Sequence, residues 1–127
     1  MAMTMRTFLT ALFFLTVATL PARAVEFLNS IDDIPLPNGM VEAAEPVVFE
    51  TPFGRVIKTV AIGQVETTDV EAFYLSALPA LGWRHLGEDL IFSRRNEQLQ
   101  ITLKTSDDKL RVAFRLIARP ASSLMDD

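Results

Sequence analysis

The chain has no cysteine among its 127 residues. This absence excludes a disulfide framework, a thiol nucleophile, a cysteine-based metal site and the lipidated cysteine of a lipoprotein. A domain of about 100 residues can bury a workable core without covalent links. Apolar packing must therefore hold this fold together.

Groups typical of catalytic sites are also scarce. The only histidine is His85, which could bind a metal with Glu88 and Asp89, although this segment equally predicts a solvated turn. Ser76 has no Gly-x-Ser-x-Gly elbow, the glycines form no phosphate-binding loop, and the paired carboxylates are neighbours in turns. We expect a non-enzymatic protein without cofactor or metal. An enzyme that depends on His85 is the third alternative.

The chain lacks an excess of positive charge. It has 12 basic and 16 acidic residues and a formal net charge of −4. Nucleic-acid-binding domains are usually basic. The composition therefore disfavours a nucleic-acid partner.

Residues 1–24 have the three parts of a secretory signal peptide. Arg6 forms a weak basic start, residues 8–20 form an apolar run, and Ala22 and Ala24 form a small-residue cleavage site. The apolar run is shorter than the roughly 20 residues that cross a bilayer, which favours a cleaved signal over a retained anchor.

Cleavage after Ala24 would leave 103 of the 127 residues. Because Arg6 and Arg23 are lost with the signal, the net charge of the mature chain would be −6. The sequence thus predicts a periplasmic or secreted protein with no transmembrane helix in its mature part.

Residues 25–46 are predicted as an extended arm that contains Pro35 and Pro37. The apolar residues of the arm are too many for a solvated linker, so packing on its own domain is favoured over packing on a partner. Residues 121–127 are predicted as a frayed tail.

Residues 47–120 are predicted as one α+β domain. Residues 47–50 and 55–63 form a hairpin around Pro52 and Gly54, although the pattern leaves open which face of the second strand is buried. A capping box at Thr68 and Glu71 predicts a helix start, and Gly82 its end, with a kink or tighter winding caused by Pro79.

The remaining residues alternate as in an antiparallel meander, with strands at 90–94, 98–105 and 110–119 and an optional short strand at 83–86. The predicted fold is therefore an antiparallel sheet of about five strands with one helix packed on one face.

The segments Glu50-Thr51-Pro52-Phe53-Gly54-Arg55 and Leu78-Pro79-Ala80-Leu81-Gly82-Trp83, together with Phe73-Tyr74, resemble small exported Gram-negative bacterial proteins with an uncharacterised domain. The resemblance covers most of the mature chain, and its motifs are structural: a turn, a helix end and an aromatic that locks helix to sheet. That group has no assigned activity, so the resemblance implies export and no particular site.

Basic residues recur on one side of the last predicted strand. Arg111, Arg115 and Arg119 alternate with apolar residues, and Lys104 with Gln100 flanks them. Such a stripe is typical of a solvated face or of an edge strand protected by charge. The functional alternative is a surface for an anionic partner, because guanidinium groups match carboxylates and phosphates bidentately.

Tyr74 and Trp83 allow two interpretations. Their spacing and the helix end between them favour core positions. The alternative is a pocket between helix and sheet that holds an apolar ligand.

The leading hypothesis is a non-enzymatic periplasmic interaction or accessory module that binds an envelope protein or an anionic surface. The alternative is a carrier of a small apolar ligand or lipid.

Overall fold

The computed structural model describes residues 16, 18, 25–43 and 45–120. The predicted signal peptide, apart from residues 16 and 18, and the predicted tail at 121–127 lie outside the described residues. The predicted cleavage residues Ala22 and Ala24 are therefore outside them too.

The described chain forms short strands, one helix and a long meander in the following order. The elements are β1 (Glu26–Phe27), β2 (Pro35–Leu36), β3 (Met40–Glu42), β4 (Val47–Thr51), β5 (Gly54–Gly63), α1 (Thr67–Ala80), β6 (Arg84–Leu86), β7 (Ile91–Arg94), β8 (Glu97–Ser106) and β9 (Lys109–Ala118).

The main sheet has the strand order β3-β5-β9-β8-β7-β6, with β4 beside β5 on the same edge as β3. Its strand pairs are antiparallel, so the predicted α+β class with one helix is confirmed for the described residues. The expectation of about five strands is wrong, because the described residues contribute seven strands to this sheet. One of the two additional strands is β6, which was predicted as an optional short strand. The other is β3, which lies within the proline-containing arm, where the apolar alternation is too short to predict a strand.

The predicted hairpin is β4 with β5. The Thr51 hydroxyl accepts a hydrogen bond from the Phe53 N–H at 3.2 Å and donates to the Gly54 carbonyl at 2.9 Å. Gly54 has φ +145, and a Cβ there would lie 2.4 Å from the Ala118 carbonyl oxygen. Only glycine fits where the hairpin meets the end of β9.

The helix begins earlier than its sequence motif predicts. Its N-cap is Glu66, whose side chain makes no capping hydrogen bond and whose carbonyl accepts from the Val70 N–H at 3.2 Å. Thr68 therefore lies inside the first turn, and the predicted capping box with Glu71 is wrong. With the helix beginning at Thr67, Val70 lies in the first turn and its side chain is buried in the core.

The helix ends as predicted, with Gly82 in the left-handed region at φ +91. The Trp83 N–H bonds to the Leu78 carbonyl at 3.0 Å and the Gly82 N–H to the Pro79 carbonyl at 3.1 Å, which is a Schellman motif. The Leu81 N–H also bonds to Leu78 at 3.0 Å, so the last turn is wound more tightly, as the proline requires.

One face of the main sheet, which we call the inner face, packs against α1 and the arm. Its buried members on the two longest meander strands are Leu99, Ile101, Leu110, Val112, Phe114 and Leu116, as the alternation predicts. The helix contributes Val70, Tyr74 and Leu78 to the same core. On β5, burial of Ile57, Thr59 and Ala61 settles which side of that strand faces inward.

The arm is part of this core. Its buried side chains are Leu28, Ile31, Ile34, Leu36 and Met40, and all belong to the same cluster as the helix. The Tyr74 hydroxyl donates a hydrogen bond to the Pro35 carbonyl at 2.9 Å, which ties the arm to the helix. The arm and α1 together cover the inner face, and no helix of the described residues covers the opposite face of the sheet.

Candidate functional site: the outer face of the sheet

We call the sheet face opposite α1 the outer face. Because strand side chains alternate, its members follow from the pairing of the three central strands. Its rows across β5, β9 and β8 are Ile62–Arg111–Lys104, Val60–Ala113–Thr102, Lys58–Arg115–Gln100 and Val56–Ile117–Gln98.

Charge is divided between the two faces of the main sheet. The cations of the outer face are all exposed, and they are Lys58, Arg84, Lys104, Lys109, Arg111 and Arg115. The carboxylates on the strands of this sheet are Glu42, Glu50 and Glu97, and all take inner-side positions. An acidic protein thus presents one sheet face that carries, over its described strands, only positive formal charge.

Two pairs of these cations stand directly opposite one another. Lys58 pairs with Arg115 across β5 and β9, and Arg111 pairs with Lys104 across β9 and β8. Like charges at opposed positions destabilise a sheet. Among the described residues none of the four makes an ion pair, since the ion pairs there are those of Arg94 with Asp33 and Glu97.

A shallow depression lies beside the Lys58–Arg115 pair. It has a volume of about 290 Å³ and is lined by Lys58, Thr59, Val60, Gln100, Thr102, Ala113, Phe114 and Arg115. The small side chain of Ala113 lies in the row between the pairs and leaves room above the sheet. An anion seated there would meet the cations Lys58 and Arg115 and hydrogen-bond donors from Gln100 and Thr102.

The outer face becomes apolar toward the β4 edge. Val47 and Phe49 pair with Lys58 and Val56, and both side chains are exposed. The Lys58 ammonium lies 5.8 Å from the centre of the Phe49 ring, within the range of a cation–π contact. This side of the face would suit a ligand with an apolar part beside its charge.

The structure brings three of the four predicted basic residues together: Arg111, Arg115 and Lys104. Arg119 lies one residue beyond β9, where its N–H bonds to the Asn96 carbonyl at 2.9 Å and its own carbonyl accepts from the Asn96 side chain. Arg119 lines a different depression, with Ser93 and Arg95.

Sequence reasoning missed Lys58, the cation that completes one opposed pair. Its strand alternates Val56, Lys58, Val60 and Ile62 against Ile57, Thr59 and Ala61, so either side could have been buried. No signal in β5 itself separates the two sides. Which side of β5 is buried depends on Thr59, because its hydroxyl has a hydrogen-bond acceptor within the fold.

That acceptor is the carboxylate of Glu42 on β3. It accepts from the Thr59 hydroxyl at 2.8 Å, from the Asn29 N–H at 2.9 Å and from the Ser30 hydroxyl. Burial alone would raise the pKa of Glu42, but these hydrogen bonds outweigh it and hold the pKa below its ordinary value. The cluster joins the arm to the inner side of β5 and lies across the sheet from the outer-face cations.

The two residues considered for a pocket, Tyr74 and Trp83, are packed in the core, 0 % and 2 % exposed. The Tyr74 ring meets Phe114 edge-on at 5.8 Å, and its burial raises the hydroxyl pKa. The Arg94 guanidinium lies 4.4 Å from the centre of the Trp83 ring. Both side chains thus connect elements of the fold.

His85 lies on β6 with its ring 5.1 Å from that of Phe92. Its Nε2 is 2.7 Å from the backbone carbonyl of Asp89, so the contact involves no carboxylate. In the described part of the chain, no three histidine, aspartate or glutamate side chains are grouped so that they could hold a metal ion.

No helix in the described ranges is both long and apolar enough to cross a bilayer. Comparisons of the chain with protein-family models, with curated proteins and with solved structures gave no match.

Proposed function

We propose that this protein is a non-enzymatic binding module of the cell envelope, and that it uses the outer face of its sheet to bind an anionic partner. One observation carries the proposal: exposed cations occupy opposed positions on this face without a carboxylate among them. The arrangement costs the fold stability, and an anionic partner would convert that repulsion into attraction.

The face suits carboxylate or phosphate groups. Arg111 and Arg115 can each offer two parallel N–H donors to such a group, and Lys58 and Lys104 add compact charges. The depression at Ala113 gives one anionic group a place beside Lys58 and Arg115. Apart from Arg55, Arg94, Arg95 and Arg119, the charged residues elsewhere in the described chain are acidic, so attraction is strongest on this side.

The test compares two double variants with the same net charge. One variant, Lys58→Gln with Arg115→Gln, removes one opposed pair of the outer face. The control variant, Arg55→Gln with Arg95→Gln, removes two exposed cations that occupy no strand position on the outer face. Two probes are titrated: poly-L-glutamate, which represents an acidic protein segment, and phosphatidylglycerol vesicles, which represent an anionic surface.

The wild type should bind at least one probe, and added salt should weaken that binding. The outer-face double variant should lose about thirtyfold in affinity, since each of the two cations removed is worth about 1 kcal/mol at such a surface. The control variant should stay within about twofold. Equal losses in both variants, or no binding of either probe by the wild type, would refute the proposal.

Export is part of this proposal, and it is motivated by the signal-like pattern at residues 1–24. The full chain should yield a periplasmic product whose first residue is Val25. Intact-mass measurement of the fractionated protein tests this, and a full-length cytoplasmic product would contradict it.

A further inference from the structure

Strand β4 is an unprotected edge of the main sheet. Within the described chain it pairs with β5 on one side only, and all five residues of Val47–Thr51 are exposed. Val47, Val48 and Phe49 expose 48 %, 43 % and 50 % of their surface. The unpaired N–H and C=O groups of such an edge are a template for a further strand.

Apolar side chains lie on both sides of β4. Val47 and Phe49 take outer positions, whereas Val48 lies opposite Ile57 on the inner side. A ligand resting on the outer face would cover Val47 and Phe49 and leave Val48 in water. A strand added alongside β4 would have side chains next to those of β4 on both sides of the sheet. It would therefore cover the exposed apolar side chains of Val47, Val48 and Phe49 together.

We propose that the added strand is β4 of a second copy of this chain, paired antiparallel about a twofold axis at Phe49. The segment is self-complementary in that register. Phe49 would face Phe49 of the second copy, and Val47 would face Thr51 on the same side of the sheet. Val48 would face Glu50 on the other side, and aromatic and β-branched cross-strand pairs stabilise sheets.

Charge does not oppose this pairing. Glu50 is the only charged residue of β4, and it would lie opposite Val48 and not opposite its own copy. The two Lys58 residues would be three strand spacings apart across the sheet and four residues apart along it, which is about 20 Å. That separation exceeds the Debye length of about 8 Å at physiological salt, so their repulsion is largely screened.

The extent of the pairing is limited on both sides. Pro46 and Pro52 flank β4 and cannot donate to a ladder, so the contact is confined to a few residues. Such a small interface gives a weak, reversible dimer. The strand at the opposite edge, β6, has only three residues and carries the exposed Arg84, and both features disfavour pairing there. Because only the β4 edge then pairs, the assembly stops at two copies. The two outer faces would lie side by side.

Cysteine cross-linking tests the register, because the chain contains no cysteine. Two opposed Phe49 Cα atoms would lie roughly 4.5–5.5 Å apart, within the range of a disulfide. Two Val47 Cα atoms would be about 14 Å apart, which is too far. Under mild oxidation, Phe49→Cys should form a covalent dimer at least about tenfold faster than Val47→Cys.

A mixture of Val47→Cys and Thr51→Cys proteins should cross-link faster than either protein alone. Sedimentation should show a concentration-dependent dimer that Phe49→Lys abolishes and Leu75→Lys, an equally exposed change on α1, does not. Equal cross-linking rates for Phe49→Cys and Val47→Cys would overturn the proposal. So would a monomer at all concentrations, or β4 of a monomer inserting into phosphatidylglycerol vesicles.

Discussion

Lys58 on β5 lies directly opposite Arg115 on β9, with both side chains exposed on the outer face. A sheet gains stability when opposed residues attract, so this pair and the pair of Arg111 with Lys104 work against folding. This repulsion is the motive for the proposed anionic partner.

Arg115→Glu should make the protein more stable, because a carboxylate would then face Lys58. The expected gain is about 0.5 kcal/mol, or roughly 2–4 °C in Tm for a domain of this size. Thermal unfolding followed by circular dichroism measures it. The same variant should bind the anionic probes more weakly, and a lower Tm would show that the opposed charges do not repel.

The pH dependence of stability should reflect Glu42. Because hydrogen bonds lower its pKa in the folded protein, its contribution is fully present above the unfolded pKa of about 4.3 and is lost as pH falls through the folded value. Glu42→Gln should cost about 1 kcal/mol at neutral pH.

This difference between wild type and Glu42→Gln should shrink at acidic pH. Denaturant unfolding at pH 7 and at about pH 3 compares the two proteins on either side of the titration. A cost that is the same at both pH values would mean that the carboxylate charge contributes nothing.

Tyr74→Phe should destabilise the protein by about 1–2 kcal/mol, because it leaves the buried Pro35 carbonyl without its donor. Phe73→Leu, at a half-buried neighbour, serves as a control for loss of aromatic packing. If the hydrogen bond joins the arm to the helix, amide exchange in the Tyr74→Phe protein should increase most around Leu28 and Leu36. An unchanged exchange rate there would argue against this link.

Gly54→Ala should cost more than Gly87→Ala. Both positions have positive φ, but a Cβ at Gly54 would lie 2.4 Å from the Ala118 carbonyl whereas one at Gly87 would meet no atom within 4 Å. The strain of placing an alanine at positive φ costs about 1 kcal/mol of folding free energy at either site, before any steric clash is counted. Equal losses in thermal unfolding would contradict the close approach of the hairpin and β9.

Residue patterning was sufficient to predict the parts of the fold that depend on local sequence. The alternation from Leu99 to Leu116, the turn at Gly54 and the helix end at Gly82 each depend on near neighbours in the chain, and each is present. The helix start was missed because no side-chain cap marks it: the N-cap is Glu66, whose side chain makes no capping hydrogen bond.

The candidate site was only partly predictable for a similar reason. Arg111 and Arg115 share a side of one long strand, so their alternation was enough to place them together. Lys58 joins them through pairing between β5 and β9, and the side it occupies depends on the contact of Thr59 with Glu42, 17 residues away. Such long-range contacts leave no periodic signal in the sequence.

The central claim is that the outer face binds anions, and amide NMR spectra recorded during titration with poly-L-glutamate test it most directly. The account predicts that the largest shifts occur around Lys58, Thr102, Ala113 and Arg115 and disappear at high salt. Shifts concentrated on α1 would contradict it, and so would an absence of shifts at these residues in a protein that also fails to bind phosphatidylglycerol vesicles.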